Sequence, residues 1–155
     1  MPSVAARIAT LLRELSLLPH PEGGRYARVH TSALLVQHGE CERPACTAIR
    51  LLLEHGEISH WHRIDADVTW HWEEGSVLEL LSFDPHYGLQ RYQLDSSVRG
   101  GMPSVVIPAG TWQAARPLGR YCLLGCMVAP GFLWETFELL AASDPLAAHL
   151  PKLVD

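Results

Sequence analysis

Apolar residues near the N-terminus recur at helical spacing: Val4, Ile8, Leu11, Leu12 and Leu15 fall on one stripe, because positions three and four apart share a helix face. With Ser3 as N-cap, this predicts a helix over about residues 3–16. Pro19-His20-Pro21-Glu22-Gly23-Gly24 ends it, since paired prolines and glycines cannot continue a helix. The period then shortens to two. Arg25–Thr31, Thr47–Glu54, Leu89–Leu94, Val105–Ile107, Trp112–Ala115, Tyr121–Val128 and Phe132–Leu140 read as short strands, with turn residues between them. Gln37–Pro44 is polar and predicts an exposed loop. Asp144-Pro145 opens a short C-terminal helix, with proline in its first turn.

The densest chemistry lies in Gly56–Gly75, which holds three of the nine histidines and three of the five tryptophans. His60 and His62 are two apart, so an extended strand projects both imidazoles from one face. A turn at Arg63–Asp67 follows, then the alternating run Val68-Thr69-Trp70-His71-Trp72. Glu73-Glu74-Gly75-Ser76 makes a second turn into Val77–Ser82. On this reading His71 faces away from Trp70 and Trp72. About eight to ten short strands without alternating helices predict an antiparallel sandwich or barrel, and the jelly roll closes that number of strands naturally.

The chain has 155 residues and fits one domain over 1–155. A net charge of −5 without a basic run excludes a nucleic-acid footprint, and no apolar run is long enough to span a membrane. The N-terminus lacks a signal-type apolar segment, so the expectation is a cytoplasmic protein. Cys122 and Cys126 lie four apart in an apolar strand and read as buried, reduced packing residues.

Gly56, His60-x-His62 and Gly75, followed by Pro108-x-Gly110, resemble the two motifs of the cupin superfamily. More narrowly, PHPEGG at 19–24, SHWHRIDAD at 59–67, WHW at 70–72, IPAGTWQAA at 107–115 and LLGCMVAPGF at 123–132 resemble the cupin-5 family, domain of unknown function 985. The resemblance implies an all-β double-stranded β-helix over about residues 22–140. It also implies a homodimer, and a shape similar to the dTDP-sugar epimerases.

Two departures from the family pattern stand out. Relatives carry glutamate where this chain has Val68 and again where it has Arg28. A cupin metal site takes two histidines and a glutamate from the first motif and a histidine from the second. Counted back from Gly75, the acidic ligand falls on Val68, which cannot bind. Counted forward from His62 it falls on Asp67. The second-motif histidine falls on Gln113. Candidate ligands for a divalent ion (iron, manganese, nickel or zinc) are therefore His60 and His62, with Gln113 and Asp67 beside them.

Imidazole titrates near neutrality, which makes His62 the candidate general acid–base. The epimerases' catalytic histidine on the equivalent strand points the same way. Asp65 or Asp67 would orient it, Asp67 being the candidate second catalytic residue. Trp70, Trp72 and Trp112 are candidate flat walls of a binding cavity. An inward Arg28 needs an anionic partner, either Glu22 or a ligand carboxylate or phosphate. His60, Tyr26, Gln113 and Tyr121 would supply hydrogen bonds.

Three functions fit these residues. The leading one is acid–base chemistry (isomerisation, epimerisation, cyclisation or elimination) on a polar or anionic small metabolite. The second is a metal-dependent oxygenase or lyase built on His60 and His62. The third is a non-catalytic ligand binder.

Overall fold

A computed structural model describes residues 1–153, so the expected domain end at Asp155 lies outside the described residues. Helix α1 spans Val4–Glu14, and the Ser3 side chain caps it by accepting the Ala6 N–H at 3.1 Å. The strands are β1 Leu18–Pro19, β2 Arg25–Thr31, β3 Leu35–His38, β4 Cys41–Pro44, β5 Thr47–Glu54, β6 Ser59–Arg63 and β7 Asp67–Gly75. They continue with β8 Leu78–Asp84, β9 Gly88–Leu94, β10 Ser104–Ile107, β11 Trp112–Pro117, β12 Tyr121–Ala129 and β13 Glu138–Leu139.

These strands form a six-stranded sheet in the order β1-β2-β5-β12-β7-β10 and a five-stranded sheet in the order β13-β6-β11-β8-β9. Each neighbouring pair is antiparallel. The two sheets roll together as the expected cupin barrel. Their inner faces meet in one core, to which Leu51, Leu53, Trp70 and Leu124 contribute from the first sheet and Leu78, Leu80, Leu94 and Ala115 from the second. Alternation explains the selection, because inward residues on each strand are two apart. Outside the first sheet, α1 buries Leu11 against Leu17, Leu52 and Leu123.

Four expectations need correction. Gln37–Pro44 is largely exposed as expected but is not a loop: β3 and β4 form a hairpin, and within it Arg43 is 2% exposed. Arg43 gains that burial by donating from Nε to the Gly131 carbonyl at 2.7 Å and from NH1 to Asp65 at 2.9 Å. Glu73–Gly75 continues β7 rather than turning, with a bulge opposite Leu123 and Leu124. Phe132–Leu140 is not one strand but a 3-10 turn over Trp134–Thr136 followed by the two-residue β13. The C-terminal helix is a 3-10 turn, Pro145–Ala148, capped by Asp144.

Candidate functional site

A small cleft, with a cavity volume of about 50 Å³ beneath an open mouth, enters one end of the barrel. Its inner walls are Ile49, Ile64, Val68, Trp70, Cys126 and Val128. Phe132, Trp134 and Phe137 cap it with His20 and Tyr26, their ring centroids 4.4–6.0 Å apart. The remaining walls are Glu22, Arg28, Thr47 and His62.

His62 and Glu22 are each 5% exposed, and His62 Nε2 lies 3.0 Å from Glu22 Oε2. The other ring nitrogen, Nδ1, donates to the His60 carbonyl at 2.7 Å. Phe137 stacks on the imidazole at 5.6 Å between centroids. Two local features produce this pairing. The first is the PEGG turn, where Gly23 has a φ of 114° and a Cβ would overlap the Ile58 carbonyl. Glycine alone permits both the conformation and the approach. It brings the Glu22 backbone to β6, where the His60 N–H donates to the Glu22 carbonyl at 2.7 Å.

The second is a bulge in β6. Gln113 pairs with His62 and Ala115 with Ser59, so three steps on β6 face two on β11. The extra residue shifts the alternation. Ser59 and His62 both become buried, while His60 is exposed. The expected convergence of His60 and His62 on one face is therefore overturned, because a strict two-residue period fails across a bulge.

The electrostatics follow from burial and pairing. Desolvation pulls the His62 imidazole down, but the Glu22 charge, the hydrogen bond to it and the His60 carbonyl together raise it above its ordinary value. For Glu22, desolvation pushes up, and the His62 charge and hydrogen bond win to hold it below the usual carboxylate range. Each partner thus favours the charged form of the other, imidazolium for His62 and carboxylate for Glu22. His20 goes the other way: burial lowers it, against the pull of Glu22 and with help from like-charged His62. Its Nδ1 accepts the Glu22 N–H at 3.0 Å, leaving Nε2 as the protonated nitrogen of the neutral ring. Burial raises the Cys126 thiol well above its ordinary value, so it lines the wall as an unreactive thiol.

The remaining candidates divide between the cleft and elsewhere. Tyr26, Arg28 and Trp70 line it with Glu22 and His62. Gln113 sits behind the wall, 1% exposed, and its Oε1 accepts the Trp70 Nε1–H at 2.6 Å. Asp67 is exposed and accepts the Ala109 N–H at 2.9 Å, and Asp65 holds Arg43, so neither orients His62. Trp72 packs at the other end of the core, donating to the Ser76 carbonyl at 3.0 Å beneath Arg99. Trp112 is buried outside the cleft with the Arg63 guanidinium 4.5 Å from its ring. Tyr121 lies outside the barrel and donates to Glu74 at 2.7 Å, with Arg7 of α1 on the same carboxylate. Sequence reasoning missed His20, Phe132, Trp134 and Phe137; the first two stand inside the PHPEGG and APGF blocks, which was the available signal.

The residues do not fit a divalent metal. His60 is turned away, both nitrogens of His62 are engaged, Gln113's oxygen holds an indole, and Val68 offers no donor. No group of three or more histidine, cysteine, aspartate or glutamate side chains among the described residues is placed to hold an ion. No helix among them is long and apolar enough to cross a membrane.

A family model described as cupin superfamily (DUF985) matches residues 9–140. No curated protein matches the chain. Among solved structures, a hypothetical protein from Leishmania major is 29% identical at a TM-score of 0.82, with 91% of each chain covered. A protein from Shewanella oneidensis is 30% identical at a TM-score of 0.82, covering 95% of this chain and 90% of that one. Oxalate decarboxylase from Bacillus subtilis matches at 13% identity and a TM-score of 0.60, over 84% of this chain and 33% of its own, a likeness of fold alone.

Proposed function

The chain belongs to the cupin superfamily, in the family of domain of unknown function 985, and from that premise we propose an acid–base enzyme acting on a small anionic metabolite held in the barrel. The observation that carries this reading is the 3.0 Å His62 Nε2–Glu22 Oε2 pair in the cleft wall. In its charged form the pair holds an acid, the His62 Nε2–H, against a base, the Glu22 carboxylate, and a substrate that comes between them meets both. Proton removal at one substrate atom and return at another is what isomerisation, epimerisation, cyclisation and elimination share. Glu22, rather than Asp65 or Asp67, is the carboxylate beside His62. Arg28, exposed at the cleft wall, suits the anionic group of the substrate.

The test is a metabolite extract incubated in deuterated water with wild-type protein and with Glu22→Gln, followed by mass spectrometry. A compound converted or deuterium-labelled by the wild type and untouched by the variant supports the assignment. A compound retained unchanged by both favours a binder without chemistry. We also propose that the chain is a homodimer. Val29 and Met127, 51% and 49% exposed, stand beside a groove on the outer face of the six-stranded sheet and would be covered by a second copy. Equilibrium sedimentation should then give twice the chain mass.

A further inference from the structure

We propose that the ligand of this cleft is a compact apolar carboxylic acid, with an aryl or branched-alkyl body, rather than a sugar nucleotide or another polyhydroxylated molecule. The inference rests on the acid–base reading for its reactive centre and adds the substrate class. It comes from counting which polar groups in the wall are still available. The Trp70 indole N–H is given to Gln113 and the Thr47 hydroxyl oxygen accepts the Phe132 N–H at 3.0 Å. His62 Nδ1 is taken by the His60 carbonyl, its Nε2 and Glu22 form the reactive pair, and His20 Nδ1 is taken by the Glu22 N–H. The polar groups left are His20 Nε2–H, the Tyr26 hydroxyl, the Thr47 hydroxyl hydrogen and Arg28, gathered along β2 and its neighbours, and the rest of the inner wall is aliphatic, aromatic or an unreactive thiol.

A sugar brings many hydroxyls, and each one buried without a partner weakens binding. Such a ligand carries hydroxyls on every side and meets partners on one side only, the side of His20, Tyr26 and Arg28. An apolar body meets the opposite situation, because the cap of Phe132, Trp134 and Phe137 and the walls Ile49, Val68 and Val128 exclude water from a ring or branched chain. The charge of the ligand has a separate place. Tyr26 and Arg28 are two apart on β2, opposite the core residues Leu51 and Ile49, and so project toward the same interior. Arg28's one hydrogen bond is to the Thr31 hydroxyl at 3.4 Å, and it makes no ion pair among the described residues. Its guanidinium is free for a carboxylate, while Glu22 is already neutralised by His62.

Titration calorimetry of the full-length protein tests this with phenylacetate, acetate, phenylacetamide and glucose 1-phosphate. Phenylacetate should bind. Acetate lacks the ring and phenylacetamide lacks the charge, so each should bind about tenfold more weakly, and Arg28→Gln should weaken phenylacetate by about the same factor. Arg28 is exposed, so this variant keeps the fold. Tighter binding of glucose 1-phosphate than of phenylacetate, no phenylacetate binding by the wild type, or equal phenylacetate affinity in Arg28→Gln would each overturn the substrate class. The two readings fail separately. Glu22-dependent deuterium labelling of a polyhydroxylated compound sinks the substrate class alone. Arg28-dependent phenylacetate binding without any labelling of the extract keeps the substrate class and sinks the chemistry.

Discussion

The two ends of the barrel are built from the same strands and have opposite contents. At the closed end β5 contributes Leu51 and Leu53, β12 contributes Leu124, and β8 and β9 add Leu78, Leu80 and Leu94, all fully shielded from solvent. At the open end the inward positions of the same strands fall to Thr47 and Ile49 on β5 and to Cys126 and Val128 on β12. Leucine fills the barrel where its sheets meet; shorter or β-branched residues leave a hollow. The polar pair Glu22–His62 occurs only where that hollow exists. Packing and chemistry are thus separated along the barrel axis, and stability and function can be damaged independently.

That separation yields predictions of decreasing size. Glu22→Gln at the open end should lower the wild-type labelling rate by about 10²–10⁴-fold, the usual worth of a positioned acid–base group, with circular dichroism unchanged. A variant as active as the wild type would make the open end a binding site only. At the closed end, Leu80→Ala removes a fully buried side chain and should cost about 2–5 kcal/mol in urea unfolding. Phenylacetate affinity should stay within a few-fold of wild type, and a comparable loss there would erase the distinction between the ends.

The next effect is a pH dependence of stability. His62 is raised in the folded state, so its contribution is complete below the ordinary value of 6.5 and disappears as pH climbs through the raised one. Glu22 is lowered, so its contribution is complete above 4.5 and disappears as pH drops through the lowered value. Wild type should therefore exceed Glu22→Gln most between these two ordinary values, and the gap should narrow on either side. A gap constant with pH would mean that the pair is not charged. The smallest effect belongs to His60. Its side chain is exposed and only its backbone reaches Glu22 and His62, so His60→Ala should change stability by less than about 0.5 kcal/mol.

The closed end was the more legible in the sequence. The apolar runs Thr47–Glu54 and Tyr121–Val128 mark their strands, and the helical stripe of Val4–Leu15 marks α1. The open end resisted because its parts come from breaks in periodicity. The β6 bulge parts His60 from His62, and nothing in SHWH announces an extra residue. Glu22 reaches His62 across forty positions of chain through the close approach at Gly23, a contact between backbones that no local pattern encodes. Arg43 was misread for a related reason: its polar neighbours suggested a loop, but its guanidinium is spent on Asp65 and Gly131 in the interior. Trp72 obeys the expected alternation and still misses the cleft, because it lies too far along β7 toward the filled end.

Whether the open end holds a charged, proton-sharing pair can be observed without knowing the substrate. Heteronuclear NMR of ¹⁵N-histidine-labelled protein follows the His62 ring nitrogens through a pH titration in wild type and in Glu22→Gln. The prediction is a His62 midpoint above 6.5 in wild type, with both nitrogens protonated below it, and a downward shift in the variant. A midpoint at or below 6.5 that Glu22→Gln leaves in place would contradict the account.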